Sequence, residues 1–484
     1  MLVLRDGRIG AGGLAGDVVI SGGMVAGVGP GARPRDAEVV DLRGATVLPG
    51  LWDCHVHSTQ WALTSRRLDL SAARSASEAA DLAVRAGGTG EWPGGVVVGY
   101  GFRDALWPDR PHKNLLAPSV PMVLVNSDLH SAWLNSAALA RFGYHGHPDG
   151  VLREHECFEV LKKLPVPPAG QLDDWIAADM RAAAARGVTG IVDFEHADNV
   201  TDWARRASRE RLAVRVRCSV PRDRLAGAIE RGLRTGDPVP DCGGLVGAGP
   251  VKLFADGSLN TRTAYCADPY PVTGTYGVLE TEPDELERIM RHAFRHGLHP
   301  AVHAIGDQAV ALVLDAFEKT GCPGRIEHAQ LLRPGDAARF ARPGLVASVQ
   351  PAHCPDDRDV ADACWPGRTG RAYPYRALLE AGATLEFGSD APVAPLDPWD
   401  SIASAVFRTD DDRPPWHPEQ AVSVADALAA SSLGRRGIVA GDAADLVVVG
   451  EDPSRVTPAG LRTMPVLGTL LQGRWTYRDP VLEA

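Results

Sequence analysis

The stretch GLWDCHVHSTQ, residues 50–60, places two histidines, His55 and His57, directly after an apolar run. Alternate residues of a β-strand lie on the same face, so a strand ending here directs both imidazoles to one side. That geometry suits two ligands of one metal ion. For this pair alone, a strand-end cap with a solvated second histidine is an equally good interpretation. The pair therefore needs companions elsewhere in the chain.

Seven further short apolar runs follow, separated by helix-length stretches rich in Ala, Leu and Arg: VTGIVDF, VRVRCSV, VKLFADG, HPAVHAIG, RIEHAQ, VASVQPAH and LEFGSD. With the strand of the two histidines they make eight. Parallel strands need crossover helices and are buried on both faces, so the pattern predicts an α/β fold, a (β/α)8 TIM-like barrel. The first gap is too long for one helix, which predicts an inserted subdomain at about 95–180.

Short β-like runs with glycine turns also occupy both ends of the chain: MLVL, DVVIS, MVAGVG, AEVVDL and ATVLPG at the start, and DLVVVG, PVLGTLLQG and RWTY at the end. Neither end alone has enough strands for a stable sandwich. We therefore expect one small composite β-sandwich domain, from residues 1–50 and 434–484. The barrel domain then covers residues 51–433.

Composition narrows the class of protein. The 484 residues are 45% hydrophobic and 23% charged, and no apolar run approaches the roughly eighteen residues of a membrane span, so a soluble globular protein without a membrane partner is expected. The N-terminus MLVLRDGRIG lacks a secretory apolar stretch, which favours the cytoplasm. Eight scattered cysteines form no CxxC pair, and most are expected to be buried thiols.

The balance of charges bears on partners. Fifty Lys and Arg against 61 Asp and Glu give a net charge of −11 without a basic block, which argues against nucleic acid. A small-molecule substrate is the expected partner. The oligomeric state, a homo-oligomer included, is left open by the sequence.

Companions for the histidine pair occur at the ends of later strands: Lys252 in VKLFADG, His303 in AVHAIGD, His328 in RIEHAQ and Asp390 in FGSDAP. Barrel enzymes place their catalytic groups at the carboxyl ends of the strands. Four histidines and one aspartate on a single rim form a ligand set that suits zinc or a similar divalent cation.

These motifs carry a resemblance to a known family. In the order LPGLWDCHVH, NSDLHSAWLNSAAL, VKLFADGSLNTRTA, VHAIGDQAV, RIEHAQ, GSDAPV and GDAADLVVVGEDP, the chain resembles the metal-dependent amidohydrolases over nearly its full length. It is most similar to amidohydrolase family 3, whose members are YtcJ-like or N-substituted formamide deformylase-like. The resemblance implies a metal-dependent amidohydrolase with one or two divalent ions, most often zinc, that cleaves a non-peptide C–N bond such as an N-acyl or N-formyl amide.

The resemblance also implies roles for particular residues. Asp390, Lys252 and His328 would be catalytic, with Asp390 acting as general base on a metal-activated water, and Lys252 would bridge two metals as a carboxylated side chain. For Lys252 the alternative is a buried ion pair with Asp256 or another barrel carboxylate. Six residues would bind metal: His55, His57, Lys252, His303, His328 and Asp390.

Five weaker candidates for substrate binding are His130, Asn135, Trp107, Arg262 and His353. In the family, the motif holding His130 and Asn135 contributes to the wall over the metal; a helix N-terminus capped by Ser127 or Asp128 is the alternative. Arg262 and His353 could grip a carboxylate or an oxyanion, or form surface ion pairs. Trp107 could line an apolar pocket or pack in a core.

Other functions remain open on the sequence. The same site could hydrolyse a cyclic amide, a lactone or an ester, and a catalytically inactive metal-binding scaffold is a further alternative. A dinucleotide site is disfavoured because no GxGxxG follows a strand in a βαβ unit. A serine hydrolase is disfavoured because the chain has no GxSxG elbow.

Overall fold

The computed structural model describes residues 1–31, 37–89, 92–117 and 119–483. Within them, a parallel eight-stranded sheet runs through Leu51–Val56, Val188–Asp193, Arg215–Pro221, Val246–Phe254, Pro300–Ala304, Gly324–His328, Leu345–Val349 and Thr384–Phe387. Two backbone hydrogen bonds join its edges, from Asp390 N to His55 O (2.7 Å) and from His57 N to Ala391 O (2.8 Å). The predicted α/β barrel is confirmed.

Helices connect and cover the barrel strands: Ser58–Thr64, Ala169–Ala184, Asn199–Arg209, Leu225–Glu230, Pro283–Arg295, Asp307–Thr320, Asp336–Arg339, His353–Asp356, Arg358–Cys364, Tyr375–Glu380, Pro398–Phe407, Val424–Ala430 and Pro458–Arg462. In Pro283–Arg295 the proline starts the first turn, and Leu286, Ile289, Met290 and Ala293 form one buried stripe. Such stripes bury the helices against the sheet. No helix in the described part of the chain is both long and apolar enough to cross a bilayer.

The two ends of the chain share a second sheet. Its order is Arg474–Arg478, Val466–Leu471, Leu446–Val449, Thr46–Pro49, Leu2–Ile9, Ala15–Ser21 and Met24–Gly29, and Glu38–Asp41 also pairs with Leu2–Ile9. The antiparallel pair of Thr46–Pro49 with Leu446–Val449 joins the termini, and Leu4, Val18 and Val448 lie in its core. A β domain built from both ends is confirmed, while the boundaries 1–50, 434–484 and 51–433 stay a prediction.

The segment between the first two barrel strands carries a five-stranded sheet, in the order Val151–Arg153, Ser131–Leu134, Met122–Asn126, Val97–Phe102 and Leu68–Asp69. Helices Ala76–Thr89, Ser136–Phe142 and His155–Leu161 accompany it. The sheet therefore begins before the predicted start at about 95. Helix Ala169–Ala184, inside the predicted insertion, packs on Ser58–Thr64 and Val188–Asp193 and so belongs to the barrel wall.

Candidate metal centre

The six side chains predicted to bind metal lie at the carboxyl ends of barrel strands or just beyond them, and all are buried: His55, His57, Lys252, His303, His328 and Asp390. They line a single cavity of about 230 Å³. Its opposite wall comes from the inserted segment, through residues such as Leu129 and His130. The barrel therefore brings together residues that are far apart in the sequence.

Asp390 lies at the centre of this rim. Its Oδ1 is 3.4 Å from Nε2 of His57 and 3.6 Å from Nε2 of His55. Two groups of three residues have ligand atoms that all lie within 4.8 Å of one another, and Asp390 belongs to both: His55, His57 and Asp390, and His328, His353 and Asp390. One carboxylate thus connects two potential ligand sets.

The donor atoms fit a divalent cation. Ligand atoms around a tetrahedral zinc, with bonds near 2.0 Å, lie roughly 3.3 Å apart, which is close to the Asp390–histidine distances. Among the described residues, three buried histidine nitrogens have no hydrogen-bond partner: Nδ1 of His57, Nδ1 of His328 and Nε2 of His353. Because a buried polar atom without a partner is costly, the free nitrogens of His328 and His353 are suited to a ligand, while His57 faces Asp390 through its other nitrogen, Nε2.

A carboxylate behind His55 orients this ring. Glu327 Oε2 lies 2.7 Å from Nδ1 of His55, and Glu327 Oε1 accepts a hydrogen bond of 2.5 Å from Nε of Arg325. A proton on Nδ1 leaves the lone pair of Nε2 for the site, as is usual for metal-binding histidines. Glu327 therefore positions a candidate ligand from outside the ligand shell.

The rings of His303 and His328 lie 4.5 Å apart between centroids. His303 is in neither group of three ligand atoms, and its Nε2 is 3.1 Å from the carbonyl oxygen of Gly257. Burial lowers the pKa of His303 to about 3. It also lowers the pKa values of His55 and His328 well below that of an ordinary histidine. These imidazoles are neutral near pH 7, the form that can ligate a metal.

Lys252 lies beside the ligand groups. Its Nζ is 3.3 Å from Nε2 of His55 and about 5 Å from the rings of Phe194 and Phe254. The alternative of an ion pair with Asp256 or another barrel carboxylate is wrong, because no carboxylate of the described residues pairs with Lys252. Asp256 instead lies 3.6 Å from Nε2 of His303 and accepts hydrogen bonds from the backbone N–H groups of Tyr265, Ile305 and Gly306. Burial lowers the pKa of Lys252 to about 8.

Two of the weaker candidates also line the cavity. His353 is buried and its ring stacks on that of His328 at 6.4 Å, so the surface ion pair considered for it is wrong. His130 Nδ1 forms a 2.7 Å ion pair with Glu154. Burial alone would lower the pKa of His130, but Glu154 raises it to about 9, so the ring is a cation near pH 7.

The prediction that Asn135 binds substrate is wrong, because this residue lines no part of the cavity. Its Oδ1 accepts hydrogen bonds from the N–H groups of Ala138 and Met122, and its Nδ2 donates to the carbonyl oxygens of Ala117 and Val120. It caps helix Ser136–Phe142, in place of the considered caps Ser127 and Asp128. The side chain has no capacity left for a substrate.

The predictions that Arg262 and Trp107 bind substrate are also wrong, since neither residue lines the cavity. Arg262 Nη2 donates to the carbonyl oxygen of Ala105 at 3.0 Å and so ties a barrel loop to the inserted segment. Trp107 packs against Phe102, 5.6 Å between ring centroids, at the edge of the core of the inserted sheet. Both act on structure.

Sequence reasoning overlooked Glu327, Glu154 and His196. His196 lines the cavity, stacked 5.9 Å from His57, just beyond the strand Val188–Asp193. Its position after a strand end was a usable signal. For Glu327 the signal was a charge inside an apolar parallel strand, where burial demands a partner. Glu154 gave no signal, because its role depends on how the insertion folds over the barrel.

A closed parallel barrel with a buried histidine and aspartate rim over a cavity defines a metal-dependent hydrolase. The amidohydrolase family model matches residues 38–477, so the chain belongs to the amidohydrolase family. It is therefore an enzyme of the metal-dependent amidohydrolase class, with a divalent metal as its cofactor.

Individual relatives agree with this assignment. The chain is 28% identical to the putative amidohydrolase YtcJ of Bacillus subtilis, over 95% of each chain. It is 26% identical to N-substituted formamide deformylase of Arthrobacter pascens, over 95% of this chain and 94% of the relative. A crystal structure of an uncharacterized metal-dependent hydrolase from Pyrococcus horikoshii has a TM-score of 0.77 and 27% identity, covering 94% of this chain and 99% of that one.

Proposed function

We propose that the protein hydrolyses the C–N bond of an N-acylated or N-formylated small molecule, with Asp390 as general base and zinc as the metal. The observation that carries the proposal is the position of the Asp390 carboxylate, 3.4 and 3.6 Å from two histidine nitrogens at the base of a cavity. The similarity to N-substituted formamide deformylase supports the choice of amide.

The candidate residues have two roles, metal binding and proton transfer. His55, His57 and Asp390 would hold one cation, while His328 and His353 offer a second group of ligand atoms with Asp390 and His303 lies beside them. A divalent cation bound there lowers the pKa of water and polarises a carbonyl group. Asp390 accepts a proton from the attacking water at a carboxylate oxygen and returns it to the departing amine nitrogen, which leaves as a neutral amine.

Two neighbours complete the proposal. His130, held through Nδ1 by Glu154, presents a positive charge to the cavity where the carbonyl oxygen gains negative charge during attack. Lys252, 3.3 Å from His55 Nε2 and without an ion pair in the described residues, would supply a further oxygen ligand for a two-ion site once its amine is carboxylated. A mass gain of one carbon dioxide on the intact protein in native mass spectrometry, absent from Lys252→Ala, tests this last role.

Metal exchange combined with a substrate panel tests the function. Turnover of N-formyl and N-acyl amines should disappear on chelation and return with zinc, and it should exceed turnover of matched lactams, lactones and esters. Hydrolysis confined to lactones or esters would replace the amide assignment with another carbonyl substrate. Full activity in the chelated, metal-free protein would remove the metal mechanism.

A further inference from the structure

A second cavity, here called the outer cavity, adjoins the one at the metal rim. It measures about 650 Å³ and lies between the inserted segment and the barrel. The two share walls, among them Leu129, His130, Phe158 and Leu161. A substrate whose amide lies at Asp390 therefore has room to extend past these apolar side chains into the outer cavity.

The outer cavity contains an arginine without a counterion. Arg67 follows helix Ser58–Thr64, which itself starts directly after His57. Its side chain lines the cavity and is partly buried, yet it makes no ion pair or side-chain hydrogen bond with any residue in the described ranges. Burial lowers the pKa of Arg67 to about 10, and no neighbouring carboxylate offsets this effect.

The other arginines of the outer cavity are all paired. Arg205 and Arg206 both bind the carboxylate of Asp173, at 2.9 and 3.0 Å. Arg222 pairs with Glu285. Arg66, the direct neighbour of Arg67, binds Asp179. Because guanidinium groups are rarely buried without a partner, the isolation of Arg67 points to a ligand that brings its own negative charge.

Carboxylates that line the same cavity do not cancel this cation. Glu154 is neutralised by His130, and Asp202 by Arg205 at 2.5 Å. Glu195 accepts hydrogen bonds from the backbone N–H groups of Thr59 and Gln60. Asp256 is bound by backbone N–H groups, and Glu280 is exposed to solvent. None of these carboxylates pairs with Arg67, which therefore keeps a partly buried positive charge without a counterion among the described residues.

We propose that Arg67 binds an anionic group, a carboxylate, at the far end of the substrate. Resting on the function proposed above, this defines the substrate class as an N-acyl or N-formyl amine with a carboxylate beyond an apolar spacer. The seven-residue helix Ser58–Thr64 between His57 and Arg67 rises about 10 Å at 1.5 Å per residue, which sets the scale of the spacer. A carboxylate on guanidinium forms two parallel charge-assisted hydrogen bonds.

Matched substrates test the assignment in the zinc-loaded enzyme. N-formyl-ω-amino carboxylates of increasing length are compared with their neutral primary amides. The wild type should prefer the carboxylate by at least tenfold in kcat/KM, at a spacer length that spans the two cavities. Arg67→Met should bring this ratio close to one, mainly through KM, and Arg67→Lys should restore part of it. Arg66→Met, the matched control on the adjacent residue, should keep the preference.

The outcomes separate this inference from the proposed function. Equal cleavage of charged and neutral formamides by the wild type overturns the role of Arg67 and leaves the amidohydrolase activity standing. If no formamide is cleaved, titration of octanoate into the zinc-loaded protein decides without turnover. Affinity that falls at least tenfold in Arg67→Met supports the anion site. Equal affinity in both proteins, or no binding to the wild type, overturns it.

Discussion

At the barrel rim, ring nitrogens of His57, His328 and His353 are buried without a hydrogen-bond partner in the described residues. In the inserted sheet, the amide of Asn135 is just as buried but makes four hydrogen bonds within its own segment. The rim therefore keeps binding capacity that folding does not use, whereas Asn135 uses its full hydrogen-bonding capacity to fix the shape of the inserted segment. The buried polar groups at the rim are therefore available for a ligand, and the side chain of Asn135 contributes to the stability of the inserted segment.

The same contrast exists between arginines. Asp173 forms ion pairs with three arginines of the neighbouring helix of the barrel wall: Arg205, Arg206 and Arg209. Arg67, which also lines the outer cavity, has no such carboxylate among the described residues. A cluster that satisfies itself holds helices together, and a charge that remains unsatisfied is available to a ligand. Removing groups of each kind should therefore change different measurements.

The largest effect is expected from Asp390→Asn. Asp390 has φ 59°, a conformation that asparagine tolerates, so the backbone should be undisturbed. The amide oxygen can still face the cation but cannot accept a proton, and kcat should fall by about 10²–10⁴ with metal content near that of the wild type. Single-turnover rates and metal analysis measure both.

The control is Asp359→Asn, which should change kcat less than twofold. Asp359 is an exposed carboxylate that lines the cavity and pairs with Arg413. A fully metal-loaded Asp390→Asn enzyme with the wild-type rate contradicts the assignment.

Glu327→Gln should have an intermediate effect, on metal affinity more than on chemistry. Glu327 holds both His55 and Arg325, and loss of such an orienting carboxylate weakens metal binding by about 10–100-fold. Zinc competition with a chromophoric chelator measures this. Glu386→Gln is a matched control, because Glu386 pairs with the same Arg325 but contacts no histidine of the rim. Equal losses in both variants would mean that the pairing of Arg325 matters and the orientation of His55 does not.

These expectations rest on two kinds of inference from the sequence. The barrel and its rim were predictable because the run of apolar strands is local, and because parallel strands bring their carboxyl ends to one edge. The contacts of Asn135 were not predictable, since they depend on how the inserted segment itself folds. The place of Arg67 in the outer cavity was not predictable either, since it depends on how that segment packs over the barrel. His353 lay between these cases: its strand-end position was visible, but its burial beside His328 was not.

The smallest effect on activity is expected from Asn135→Ala. The substitution removes a helix cap and leaves backbone groups at buried Met122 and at half-buried Ala117 and Val120 without their partner, so stability should fall by about 2–3 kcal/mol. Hydrogen exchange in the inserted sheet and thermal unfolding measure the loss.

Below the temperature of the unfolding transition, zinc affinity and kcat should stay within twofold of the wild type, because the side chain of Asn135 reaches no part of the metal cavity. Asn114→Ala, on the surface of the same segment, should change neither stability nor rate. A loss of kcat/KM in Asn135→Ala with stability intact would instead place Asn135 in the substrate site and break the division between rim and insertion.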